Sequence, residues 1–153
     1  MILYPPIWST GCLPMAAEQY FLAIDPGRNK VGMVLSDHQQ GILWQGVVSR
    51  SVLKNVVEEF CGRYGRLVFI LGDGTSSREV RKELESSGAI RGKVFPVNEE
   101  HSTLEGRKLY FQENPPRGWR RFIPCSLQTP PEEYDSYAAR ILLDRFFQAR
   151  EKE

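Results

Sequence analysis

Three acidic residues, far apart along this chain, fall where carboxylates can do chemistry: Asp25, Glu99 and Asp135. Asp25 closes the apolar run Phe21-Leu22-Ala23-Ile24 and is followed by Pro26 and Gly27, which turn the chain. Glu99 follows a second apolar run, Lys93-Val94-Phe95-Pro96-Val97. Asp135 opens a helical stretch and shares a stripe with Ala139, Leu142 and Phe146. An acid on an apolar stripe is costly to desolvate unless a cation meets it there. If the strands that end in Asp25 and Glu99 are parallel neighbours, both acids leave the sheet at one edge, where open α/β sheets hold their ligands. A helix packed on that sheet then delivers Asp135 from the side. Clustered carboxylates repel, and a hard divalent cation removes the penalty, so Asp25, Glu99 and Asp135 are a candidate catalytic and metal site for Mg2+ or Mn2+. Such a site can activate water and stabilise the leaving oxygen of a phosphodiester. Taken singly, each acid also has a plain structural reading. Asp-Pro-Gly is an ordinary turn, Glu99 suits a solvated helix approach, and Asp135 suits the positive end of a helix.

The elements that must position these acids follow from periodicity. Phe21 to Ile24 and Leu67 to Leu71 are continuous apolar runs, as expected of strands buried on both faces. Val31 to Ser36 and Ile42 to Val48 read as two further strands with short connections, hence an antiparallel meander with the first. Val52, Leu53, Val56, Val57, Phe60 and Tyr64 recur at helical spacing and stop before Gly65. The strand after this helix is expected to lie parallel to the first through a right-handed crossover. Ser76 and Glu79, then Ser102 and Glu105, have capping-box spacing and mark two helix starts. Pro96 cannot donate to a ladder, which puts the fifth strand at the sheet edge. Residues 115–131 hold five prolines and read as a loop, and Tyr134 to Ala149 as the last helix.

The chain has 153 residues, 41% of them apolar and 25% charged, which suits one soluble globular domain. Residues 1–19 read as an irregular N-terminal arm and residues 20–153 as a single domain. Cys12, Cys61 and Cys125 are odd in number and widely spaced, which fits a reducing cytoplasm and offers no zinc site. No apolar run approaches the roughly 20 residues needed to span a bilayer, and the N-terminus lacks the basic start of a signal peptide, so no membrane partner and a cytoplasmic location are expected. A formal charge of +1 neither demands nor excludes nucleic acid.

The order of elements and four motifs resemble a known family. The order is that of the ribonuclease H-like fold, and the motifs are similar to those of the RuvC-like resolvases of the YqgF group. Residues 21–37, FLAIDPGRNKVGMVLSD, resemble that group's opening of an apolar strand, D-P-G, and a glycine-bearing second strand ending in S-D. Leu71 to Thr75 resemble its G-(N/D)-G-T loop, also seen in the related domain of the Tex protein. Val97 to Thr103 are similar to its V-D-E-R-x-S-T segment, and Asp135 to Ala139 to its D-S-x-A-A helix start. The resemblance covers residues 20–148. It implies an α/β fold with a five-stranded mixed sheet in the order 3-2-1-4-5 flanked by helices. It also implies a metal-dependent endonuclease acting on structured nucleic acid, either branched DNA or precursor ribosomal RNA, and leaving a 3′-hydroxyl. Three departures stand out: Asn98 and Glu100 replace an Asp and an Arg, and Ala138 and Ala139 stand where full resolvases carry a second helix acid. Asp73 is the nearest acid that could compensate, although turn chemistry explains it equally well. These departures favour an alternative, a nucleic-acid-binding module of the same fold with weak or no catalysis.

Arg117, Trp119, Arg120 and Arg121, with Phe122, form the one basic cluster interleaved with aromatics, suited to phosphates and unpaired bases. The bland alternative has the arginines solvating a loop whose Trp119 and Phe122 pin it to the core. Arg28 and Lys30, just after Asp25, are placed to hold a phosphate. His38 falls in a hairpin turn, and His101 adjoins Glu99 but reads as a surface residue. Junction resolution would call for a homodimer with two sites about a two-fold axis, yet nothing in the sequence marks an isologous interface. An actin-like ATPase, the third reading of the Asp-Pro-Gly and Gly-Asp-Gly-Thr loops, needs two such domains, and the chain has length for one.

Overall fold

A computed structural model describes residues 19–128 and 134–152. The expected N-terminal arm therefore lies, save Gln19, outside the described residues. Three strands come first: β1 (Tyr20–Pro26), β2 (Lys30–Ser36) and β3 (Ile42–Ser49). They are followed by α1 (Leu53–Tyr64), β4 (Leu67–Gly72), α2 (Thr75–Ser86) and β5 (Val94–Val97), and by α3 (Ser102–Glu113) and α4 (Asp135–Arg150). The five strands form one sheet in the order β3-β2-β1-β4-β5. The β1–β2 and β2–β3 pairs are antiparallel, and β1–β4 and β4–β5 are parallel. The protein is thus α/β with a mixed sheet in the expected order.

Strand alternation divides the core in two. Leu22 and Ile24 of β1, Met33 and Leu35 of β2, and Phe69 and Leu71 of β4 face α1 and α2, where Val57, Phe60, Val80 and Leu84 meet them. Phe21, Ala23, Val68 and Ile70 face the other way, onto Ala139, Leu142, Leu143 and Phe146 of α4. Both sides of β1 and β4 are therefore removed from water, which is why their sequences are unbroken apolar runs. Asp25 continues the Phe21-Ala23 alternation and so lies on the α4 side. β5, with Pro96, is at the edge, as its missing donor requires.

The helix starts differ from the capping boxes expected at Ser76/Glu79 and Ser102/Glu105. α2 begins two residues earlier, with Gly74 as N-cap and no side-chain cap bond. α3 takes His101 as N-cap, in the left-handed region at φ 61°, again with no side-chain cap bond. Tertiary partners have claimed the acids: Glu79 pairs with Arg50 at 3.2 Å and Glu105 with Arg145 at 3.1 Å. The proline-rich segment is not wholly irregular, since Gly118–Phe122 and Cys125–Leu127 form short 3-10 turns.

Candidate functional site

The parallel arrangement of β1, β4 and β5 brings their C-terminal ends together, and the acids sit at that edge. Asp25 is the penultimate residue of β1 and pairs in register with Gly32 of β2. A Cβ on Gly32 would overlap the backbone carbonyl of Asp135. The first turn of α4 can therefore rest directly on the sheet, which sets Asp135 beside Asp25. A Cβ on Gly106 of α3 would likewise crowd the backbone of Tyr137 and Ala138. Two bare positions thus hold the start of α4 between the sheet and α3.

Glu99 follows β5, and the loop after β4 receives it. The Glu99 backbone N–H donates to Asp73 Oδ1 at 3.1 Å, and Ser77 Oγ donates to Glu99 Oε2 in a long contact of 3.4 Å. Asp73, the acid offered in compensation, is therefore engaged in holding the Glu99 backbone. From the other side, Arg145 of α4 donates to the carbonyls of Asn98 and Glu100 and pairs with Glu105. The segment carrying Glu99 is clamped between the β4–α2 loop and α4.

Asp25, Glu99 and Asp135 line one cleft of about 260 Å³, with Pro26, Gly27, Lys30, Ser102 and Thr103. Burial, and then the charges of Glu99 and Asp135, push the Asp25 carboxyl up from its ordinary 3.8 to about 7. The acids are thus close enough to feel one another's charge. Among the described residues, however, no three His, Cys, Asp or Glu side chains stand as a ready-made coordination set. The donor chemistry nevertheless fits Mg2+ or Mn2+: three carboxylates line one cleft, one of them strongly disfavoured as a bare anion.

The other expected site residues separate. Lys30 lines the cleft, whereas Arg28 is exposed in the β1–β2 turn and is not part of its wall. Arg117, Arg120 and Arg121 are exposed with Trp119 and Phe122, which are 70% and 76% accessible. The rings therefore do not pin the loop to the core. Arg121 instead covers the Phe122 ring at 4.8 Å, and the Gln128 side-chain amide donates to the carbonyls of Arg120 and Ile123, which holds the turn. Glu100, which replaces the Arg of the resembling motif, points to solvent next to His101 at 3.5 Å. Asn98 is spent on an Asx-type turn, accepting the Glu100 N–H at 2.7 Å.

Several contributors were not singled out from sequence. Ser102 and Thr103 line the cleft, and their signal was masked by a capping-box reading. Gly32, Gly106 and Arg145 act through contacts that no local pattern announces. No protein-family model matches this chain and no curated protein matches it, so the functional reading rests on these residues.

Proposed function

We propose that this protein is a metal-dependent endonuclease of RuvC/YqgF-like type with a ribonuclease H-like fold, hydrolysing phosphodiesters in structured nucleic acid. The observation that carries the reading is the meeting of Asp25, Glu99 and Asp135 in one cleft, with Asp25 raised to about 7 by its burial and by the other two. Asp25, Glu99 and Asp135 would hold Mg2+ or Mn2+, which supplies Lewis acidity toward water and toward the leaving oxygen of a phosphodiester. Lys30 attracts and orients the scissile phosphate at the cleft wall. Ser102 and Thr103 offer hydroxyl donors to its non-bridging oxygens. The exposed Trp119 and Phe122, flanked by Arg117, Arg120 and Arg121, suit a strand with unpaired bases, in branched DNA or structured RNA.

A second reading, a nucleic-acid-binding module without catalysis, is favoured by one observation. The Glu99 carboxylate is held by the β4–α2 loop, where Ser77 Oγ donates to it, a structural role that needs no metal. One experiment separates the two readings. Labelled four-way junctions and precursor ribosomal RNA are incubated with the protein and Mn2+ or Mg2+, beside Asp25→Asn. Cleavage that the variant loses supports the nuclease; cleavage that persists undiminished removes the three-acid site; binding without cleavage supports the module.

A further inference from the structure

The loop after β4 has a shape that its own turn does not explain. Gly72 and Gly74 flank Asp73, and neither glycine has a positive φ; Gly74 stands at φ −71° and ψ −179°, extended backbone open to any residue. Local conformation therefore does not call for glycine at 74. What calls for it is Glu99. A Cβ on Gly74 would overlap Glu99 Oε1, and a Cβ on Gly72 would overlap Glu99 Oε2. Ser77, buried in the first turn of α2, turns its Oγ onto the same carboxylate. Asp73 fixes the Glu99 backbone through its N–H.

We propose that Gly72, Gly74 and Ser77 form a seat that positions the Glu99 carboxylate in the wall of the cleft. The glycines supply the space, Ser77 supplies a donor, and Asp73 sets the height of the backbone. This inference rests on the proposed metal site, to which it adds positioning residues on an element that carries none of the three acids. Positioning groups of this kind change metal affinity by about 10- to 100-fold when removed. The Gly74→Ala change is a selective probe. The backbone accepts alanine, and the obstacle is the tip of a flexible side chain, so Glu99 swings away while the fold remains.

The test is a cycle of Mn2+ affinities measured calorimetrically on the full chain: wild type, Gly74→Ala, Glu99→Ala and the double variant, with thermal melting to verify folding. The expected result is about a 10- to 100-fold loss of affinity in Gly74→Ala. The double variant is expected to bind no more weakly than Glu99→Ala alone. Ser77→Ala, which removes only the hydroxyl, loses affinity in the same direction and carries the comparison if Gly74→Ala melts. Unchanged or tighter Mn2+ binding in Gly74→Ala overturns the seat and leaves the metal site standing. A Gly74→Ala loss that persists in full without Glu99 overturns it too. A wild type that binds no Mn2+ removes the metal site, and the seat with it.

Discussion

Asp25→Asn is expected to stabilise the protein in the absence of metal, and to do so more at high pH. In the folded chain the Asp25 carboxyl titrates at about 7, against 3.8 as its ordinary value. Between these values folding takes up a proton, so by linkage this group's contribution to stability is full below pH 3.8 and is lost as pH rises through 7. The interval of about three pH units, at roughly 1.4 kcal/mol each, sets a ceiling of about 4 kcal/mol. Asp25 opens onto a cleft and is partly screened, which brings the working figure to about 2–4 kcal/mol. Asparagine keeps the shape and removes the charge. At pH 8 and without divalent metal, the variant should melt roughly 4–16 °C above wild type, given about 2–4 °C per kcal/mol for a chain of this size. The gap should narrow as pH is lowered toward 5. Millimolar Mn2+ should raise the wild-type melting temperature and leave the variant's nearly unchanged, because binding to the native state alone stabilises it. Differential scanning calorimetry from pH 5 to 8, with and without Mn2+, reads all of this. A variant that melts below wild type at pH 8, or a gap that ignores pH, would refute a buried acid strained by its neighbours.

Other substitutions probe the scaffold. Gly32→Ala drives a methyl into the Asp135 carbonyl, so it should cost about 1–3 kcal/mol in urea unfolding and blunt the Mn2+ response. Arg145→Ala frees the carbonyls of Asn98 and Glu100 and is expected to cost about 1–2 kcal/mol, with a weaker Mn2+ affinity by titration. Trp119→Ala should leave the melting temperature in place, because the ring is exposed, yet weaken binding of a single-stranded oligonucleotide by about 1–3 kcal/mol in fluorescence anisotropy. Replacing Arg117, Arg120 and Arg121 by alanine should flatten the logarithmic salt dependence of that binding by roughly 2.

The sheet was legible because burial on both faces leaves an unmistakable trace in residues such as Phe21 to Ile24 and Leu67 to Leu71. Pro96 likewise declares an edge, since no partner could use its missing donor. The acids were legible because each stands at one end of an element, Asp25 closing β1, Glu99 following β5 and Asp135 opening α4, although their mutual approach depended on the parallel order of β1, β4 and β5. The capping boxes misled because Glu79 and Glu105 found arginines distant in sequence, and a local rule does not see them. The roles of Gly32 and Gly106 were invisible for the same reason, as a missing side chain acquires meaning only from what approaches it. Trp119 and Phe122 could be read from sequence as anchors or as a platform, and only their accessibility rules out the anchors.

The two glycines that let α4 touch its neighbours also distribute rigidity. With the helix start wedged at backbone distance on both sides, Asp25 and Asp135 share an unyielding frame with no slack to take up. Glu99 arrives on a separate strip of chain, tethered by hydrogen bonds to side chains instead of by interlocked main chain. In the proposed metal site, any adjustment between cations of different radius would therefore fall to that third arm.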